Sequence, residues 1–488
     1  MNKLYDFVFT KKEDRKLLYF KGNADVIENG LSVKTGNIVD FLTYFNSFSL
    51  GKWKEYTNIK ELQIGGIIKG LAEIEVYTIG KNESILAKQQ VSGKFSFCYD
   101  VGTINSEILG IKIKAIDDII IKKLTYLGEF EEWENQKIGV IICTFKREKY
   151  VKKTIDKLQK FSKDHQWLTT LVVDNGSTLE ECEAENLRVI HNPNYGGSGG
   201  FTRGIIENLK TKTNDYVLLM DDDIDLDTGV LERTSALISA LKNEYRENFL
   251  AGAMLNIDGP YIQYENTAYW NRVHLVSLGK NLDLSQKQNL IKNINIKNYT
   301  NQYAAWWYCC IPVSRTEKIG LPLPFFIKGD DIEYSIRNNK KVIFMNGIGV
   351  WHEPFDKKIV PWVNYFSDRN MLILNFYVQN CNVLTFIIAV IGRLIKRSIS
   401  NRFNSINVLY YAINDVYNGF EKITEISADK KLATIQALIK KPGSSKYILK
   451  ILWILFIMVI HYKKYRNKFL YFRDSINGNE FWESYYKK

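Results

Sequence analysis

From residue 1 to about residue 133, apolar positions recur near every second residue, in runs such as LLYFKG, GLAEIEVYTIG, KFSFCYD and IIIKKLTYLGEF broken by Gly, Asn and Asp. A period of two sends alternate side chains to opposite faces, so this stretch predicts an antiparallel β-sandwich or barrel. At KIGVIICTFKREKYVKKTIDKLQKF the pattern changes. An apolar strand run (Val140 to Cys143) is followed by helical spacing that puts Val151, Ile155 and Leu158 on one face. WLTTLVVDNGST, NLRVIHNPNYGGSGG and DYVLLMDDD repeat the strand arrangement, with a helix through FTRGIIENLK between the last two. Strands that are apolar throughout and alternate with helices predict a parallel sheet covered on both faces. Ligands of such sheets bind at the carboxyl ends of the strands, where Thr144, Asp174, the glycines and the aspartates all fall. After about residue 375 helical stretches such as NVLYYAINDVYNGFEKI dominate, with a break at KKPGSSK, residues 440–446. The 488 residues thus divide into an N-terminal β domain (1–133), an α/β domain (134–375) and a helical region (376–488).

Charge narrows the partners. With 66 Lys and Arg against 54 Asp and Glu the net is +12, which suits an anionic ligand or an acidic membrane surface. The basic residues are scattered and form no nucleic-acid-binding motif, so nucleic acid is not expected as a partner. The six cysteines contain no CxxC pair and no disulfide-like spacing, and the first residues carry no signal peptide, so a reducing cytosol is the expected compartment. No apolar run reaches the roughly 18–20 residues that span a bilayer. VLTFIIAVIG (383–392) and ILKILWILFIMVIHY (448–462), the latter followed by KKYRNK, fit a membrane-surface helix beside a basic cluster and equally a buried helix with a solvated basic end.

Five stretches carry chemistry. In MDDDI, alternation points Asp221 and Asp223 the same way and Asp222 the other. Two carboxylates on one side make a hard-oxygen site for Mg²⁺ or Mn²⁺ that can bridge a diphosphate. Gly196, Gly197, Gly199 and Gly200 match neither phosphate-loop nor dinucleotide spacing, and read as a loop that lets backbone approach a ligand. In PFFIKGDDIEYSIR, Asp330 and Glu333 have capping-box spacing, and Asp331 falls in the first helical turn, where it tends to stay ionised and suits a general base. His352 in VWHEPF can complete the aspartate site, and the paired Trp306 and Trp307 are either a sugar-stacking platform or core.

In order and separation, CTFKR, VVDNGS, NPNYGGSGGFTRG, MDDDI, WWYC, GDDIEY and WHEPF resemble the motifs of glycosyltransferase family 2 enzymes, most of all the bacterial galactofuranosyltransferases. The resemblance implies a GT-A fold, that is, an α/β, Rossmann-like, mostly parallel sheet, with an N-terminal β-sandwich domain and a helical C-terminal region. It implies that Thr144, Arg147, Asp174, Asn194, the four glycines and Asp222 form the donor site, and that Asp221, Asp223 and His352 bind the metal. Asp331 would be the catalytic base, with Asp330 holding hydroxyls. Trp306, Trp307 and Glu265 would line the acceptor groove. Gly329 departs from the tryptophan that often precedes the paired aspartates. The implied reaction is inverting transfer of galactofuranose from UDP-galactofuranose to a lipid-linked or growing glycan, at the inner face of the cell membrane, by an enzyme for which a homo-oligomer stays open. A rhamnosyltransferase using a dTDP-sugar and a non-catalytic glycan-binding protein are the alternatives.

Overall fold

The computed structural model describes residues 1–355, 360–399, 403–425, 427–440 and 446–487. Most of the expected break at KKPGSSK lies outside the described residues.

The strands between Asn2 and Phe130 hydrogen-bond as one nine-stranded antiparallel sheet, not as two separate ones. The reason is the strand Ile59–Ile79, one edge of which two others share: its first half pairs there with Ile119–Phe130 and its second half with Ile108–Ala115, while Glu83–Asp100 pairs along the opposite edge. The halves meet at Gly70, whose φ of +92° lies in the left-handed region and where a Cβ would sit 2.6 Å from the Asp118 carbonyl. The bend requires glycine.

The α/β domain is built on a seven-stranded sheet. We label its strands β1 (Ile138–Thr144), β2 (Leu168–Asp174), β3 (Cys182–Ala184), β4 (Leu187–His191), β5 (Tyr216–Asp221), β6 (Leu250–Ala251) and β7 (Tyr308–Pro312), in the spatial order β3-β4-β2-β1-β5-β7-β6. The β4-β2-β1-β5 core is parallel, and β3, β7 and β6 are antiparallel additions at its two edges. Alternation along the buried strands feeds two cores. Val140, Ile142, Leu218 and Met220 pack with Val151, Ile155 and Leu158 of α1 (Glu148–Ser162), while Ile141, Val217 and Leu219 pack with Phe201, Ile205 and Ile206 of α2 (Gly196–Thr211). A further helix, α3 (Gly229–Ser239), follows β5, and α4 (Asp330–Asn338) enters from the far side of the chain.

The helical region begins at Pro361, because proline at the first turn opens α5 (Pro361–Tyr377), so the boundary expected at residues 375/376 falls inside a helix. It continues through α6 (Val383–Ile399), α7 (Phe403–Asn418), α8 (Ala428–Ile439), α9 (Lys446–Ile460), α10 (Tyr462–Ser475) and α11 (Asn479–Tyr485). Tyr365, Phe366, Ala412, Ile435 and Trp482 pack into the α2 side of the sheet, so this region forms part of the domain's own core.

Candidate active site

Parallel strands deliver their last residues to one edge. Thr144 ends β1, Asp174 ends β2 and Asp221 ends β5. The Thr144 hydroxyl donates to Asp222 Oδ2 at 2.7 Å, and Arg147 donates to Asp222 Oδ1 at 3.0 Å and reaches Asp223 Oδ2 at 2.7 Å. Burial pushes the Asp222 carboxyl up to about 6, against the opposing pull of Thr144 and Arg147.

On the other side of the acidic turn, Asp221 Oδ2 lies 3.6 Å and Asp223 Oδ1 3.0 Å from His352 Nε2, at the end of the strand Gly349–His352. One ligand atom from each of the three residues falls within 4.8 Å of the others. His352 Nδ1 is 2.6 Å from the Glu353 carbonyl and donates to it, which fixes the tautomer and leaves Nε2 turned to the carboxylates. Two carboxylates and one neutral imidazole nitrogen make a donor set that fits Mn²⁺ or Mg²⁺. Burial acts to lower the His352 pKa, but the Asp223 hydrogen bond and the Asp221 charge hold it above its ordinary value.

The N-terminal domain buttresses this corner. Asp225 and Trp351 exchange backbone hydrogen bonds at 2.8 and 3.1 Å, tying the acidic turn to the histidine strand. The Asp225 carboxylate is ion-paired to Arg15 and Lys12 of the N-terminal domain at 2.8 Å each and to Lys157 of α1 at 2.5 Å. Burial acts to raise that carboxyl, and the three cations hold it far below the usual range. The Arg15 guanidinium also stacks 3.9 Å over the Trp351 ring.

Asp330 and Asp331 open α4. Gly329, at φ +93°, is the cap, so Asp330 is already helical and makes no capping-box bond, and Glu333 instead reaches Arg337 at 2.9 Å. This corrects the capping reading, and it accounts for Gly329, since a tryptophan would be strained at that φ. Asp331 does not stay near its ordinary value either. Burial raises both carboxyls, with the Asp331 charge adding to the effect at Asp330, while the Ile332 N–H and Lys328 pull Asp331 back. Glu265 faces the same space and feels the Asp331 charge. It accepts from Ser277 Oγ and, at 3.3 Å, from Tyr303 OH, and burial pushes its carboxyl up to about 7.

Other expected residues are placed differently. The glycines are the first turn of helix α2, not a loop, because the backbone there packs too closely for side chains: a Cβ on Gly200 would sit 2.1 Å from Cys143 Sγ, and one on Gly196 2.2 Å from the Phe326 carbonyl. Gly197 alone has open space around its missing Cβ among these four. Asp174 is fully buried, its carboxylate accepting from the backbone N–H groups of Gly176, Thr178 and Leu179 at 2.6–2.8 Å, so it shapes the loop after β2. Asn194 bonds Asp429 of α8 at 2.9 Å and the Gly196 N–H at 3.1 Å. Trp306 and Trp307 are each 5 % exposed, Trp307 donating to the Gly252 carbonyl and Trp306 standing edge-on to Phe201, so neither offers an open face for stacking.

Residues 139–301, within the α/β domain, match the family model described as glycosyl transferase family 2. The chain is similar to two galactofuranosyltransferases named GlfT2. It is 22 % identical over 424 residues to that of Mycolicibacterium smegmatis, covering 80 % of this chain and 65 % of the relative. It is 23 % identical over 441 residues to that of Mycobacterium tuberculosis, covering 81 % and 68 %. The chain thus spans about two thirds of the length of the relatives it matches. Among solved structures, that of S. aureus TarS overlaps with a TM-score of 0.37 at 15 % identity, over 62 % of this chain and 53 % of TarS. The mannosyltransferase PcManGT from Pyrobaculum calidifontis overlaps with a TM-score of 0.34 at 11 % identity, over 70 % and 87 %.

Proposed function

We propose that this protein is an inverting, metal-dependent galactofuranosyltransferase that moves galactofuranose from UDP-galactofuranose to a hydroxyl of a lipid-linked or growing cell-surface glycan. The observation that carries the reading is a facing pair of sites: Asp221, Asp223 and His352 gather at the end of β5 while Asp331 and Glu265 look onto the same space. A divalent cation held by Asp221, Asp223 and His352 would supply positive charge to the donor's diphosphate. Glu265, oriented by Ser277 and Tyr303, holds acceptor hydroxyls. Asp331 takes the proton of one acceptor hydroxyl, whose oxygen forms the new bond to the anomeric carbon. The bond from that carbon to the β-phosphate oxygen breaks on the opposite side, and its electron pair leaves with UDP. Holding acceptor and donor together itself lowers the barrier by about 7 kcal/mol. The galactofuranose assignment is supported by the similarity to the two GlfT2 relatives. Arg147, joined to Asp222 and Asp223, and Thr144 form the donor-side wall.

The acceptor class puts the enzyme at the inner face of the cell membrane. No helix among the described residues is long and apolar enough to cross a membrane, and a surface contact through α6 and α9 is the mode the exposed residues support. Incubating the purified protein with Mn²⁺, a galactosyl acceptor and either UDP-galactofuranose or dTDP-rhamnose tests the donor. Turnover with the first and not the second is expected, and turnover only with dTDP-rhamnose would replace this reading with the rhamnosyltransferase one.

A further inference from the structure

We propose that Lys328 is a second cation of the donor site, meeting the diphosphate of the nucleotide sugar beside the metal-binding residues. This rests on the glycosyltransferase reading above. The backbone leading into α4 is unusual: Phe326, Lys328 and Gly329 have φ of +71°, +64° and +93°. Left-handed backbone is unfavourable for any residue with a Cβ, and such residues persist where their surroundings over-determine them. Here the surroundings are two buried polar residues of α5. The Asn370 carboxamide donates to the carbonyls of Lys328 at 2.7 Å, Ile327 at 3.0 Å and Phe325 at 3.2 Å. Arg369 Nη2 donates to Phe325 O at 2.9 Å, and its Nε donates to Asn370 Oδ1 at 2.9 Å, which orients the carboxamide. From the other side, the Ser198 N–H in the first turn of α2 donates to the Phe326 carbonyl at 3.1 Å. The turn is therefore strapped both to the helical region and to the glycine end of α2.

This strapping delivers one exposed ammonium to a defined place. Lys328 Nζ sits 4.3 Å from the centre of the Phe355 ring, and that ring lies 5.1 Å from the His352 ring. A cation–π contact holds the ammonium without neutralising it. Asp221, Asp330 and Asp331 all feel its charge, yet among the described residues it forms no ion pair within 4 Å. A cation surrounded by carboxylates but paired with none, on a turn fixed by four hydrogen bonds to α5, is kept free for an anionic ligand. The diphosphate is the anion that must lie next to Asp221 and Asp223 with its sugar turned towards Asp331. As the donor's glycosidic bond breaks, the electron pair accumulates on the β-phosphate oxygen. The ammonium donates hydrogen bonds to that group and keeps its proton throughout.

Calorimetric titration of UDP and UMP into the full-length wild type, K328M and K328R, each with Mn²⁺ and again with EDTA, tests the assignment. Lys328 is exposed, so neither variant threatens the fold, and a matching melting temperature checks this. K328M is expected to lose roughly ten- to a hundredfold in UDP affinity, with or without metal, and much less for UMP; K328R keeps most of the affinity. Unchanged UDP affinity in K328M alongside lowered turnover would assign Lys328 to Asp331 instead and overturn the proposal, as would equal losses for UDP and UMP. A wild type that binds no UDP at all would sink the functional reading along with it.

Discussion

In its proposed role as the base, Asp331 must be ionised to accept a proton, yet its position works against ionisation. Burial raises it and its neighbour Asp330, and backbone N–H groups of the first helical turn, together with Lys328, offset part of that. Because the base works as the carboxylate, activity falls as pH drops through the raised value, so the acid limb of kcat/KM should lie above the ordinary carboxylate value of about 4. The same shift has a consequence for stability. The folded pair binds protons more tightly than the unfolded chain, so its contribution to stability falls as pH rises from the ordinary carboxylate range through the raised pKa. Asp331→Asn should lose roughly 100- to 10,000-fold in kcat with little change in UDP affinity, measured by initial rates and titration. A variant retaining a tenth of wild-type kcat would remove Asp331 from the role of base. Much at this scale was legible. Strand alternation separated Asp221 and Asp223 from Asp222, and the structure turns the first two to His352 and the third to Thr144. Lys328 was not legible, because its value lies in a left-handed backbone that the letters FIKGDD do not reveal. Asn370 and Arg369 left a fainter trace, as consecutive polar residues in the apolar helix NYFSDRNMLILNFY.

At the scale of elements, the turn after β5 depends on a junction that no motif marks. Asp225 collects Arg15, Lys12 and Lys157 from two domains and is joined through backbone to Trp351, the residue before His352. Asp225→Ala would strand the Arg15 guanidinium, whose side chain is 8 % exposed, while Lys12, half exposed, would simply rehydrate. The expected loss is about 2–3 kcal/mol, below the range for a fully buried pair because part of the network is solvated, with weaker Mn²⁺ binding as the His352 strand loosens. Thermal melts and metal titration read both. A lower melting temperature with unaltered metal affinity would show that the junction only stabilises the fold. The glycine run shows why element types can mislead. Four glycines in five positions argue against helix by propensity, but tertiary packing against Cys143, Tyr195 and Phe326 requires a helix turn without side chains. The tryptophan pair was ambiguous for a related reason, since a stacking platform and a core pair differ only in exposure.

For the whole molecule, the sequence left open whether the two short apolar helices are buried or lie on a membrane surface, and each buries one side and exposes an apolar other. On α6, Phe386, Ala389, Val390 and Leu394 are buried, while Leu384, Ile388, Ile395 and Ile399 form an exposed stripe. On α9, Ile451, Ile454, Leu455 and Met458 are buried, while Leu449, Trp453, Phe456 and Ile460 are exposed, Trp453 by 64 %. Residues 383–399 and 446–473 contain no Asp or Glu, and the exposed Lys396, Lys446, Lys450, Lys463 and Lys464 lie on or next to the stripes. Apolar side chains rimmed by lysines without acids suit an anionic bilayer surface, where each lysine near the lipid adds about 1 kcal/mol and a buried aromatic roughly 1.5–3. The protein should therefore float with vesicles containing anionic phospholipid, bind zwitterionic vesicles weakly, and be partly released by salt. A W453E/F456E double substitution is expected to cut vesicle binding more than tenfold while leaving kcat on a water-soluble acceptor unchanged, because neither ring touches the site around Asp331. Should the double variant float as well as the wild type, the face would belong to something other than lipid. If the wild type also sedimented as a dimer that the substitution splits into monomers, that partner would be a second copy of the chain.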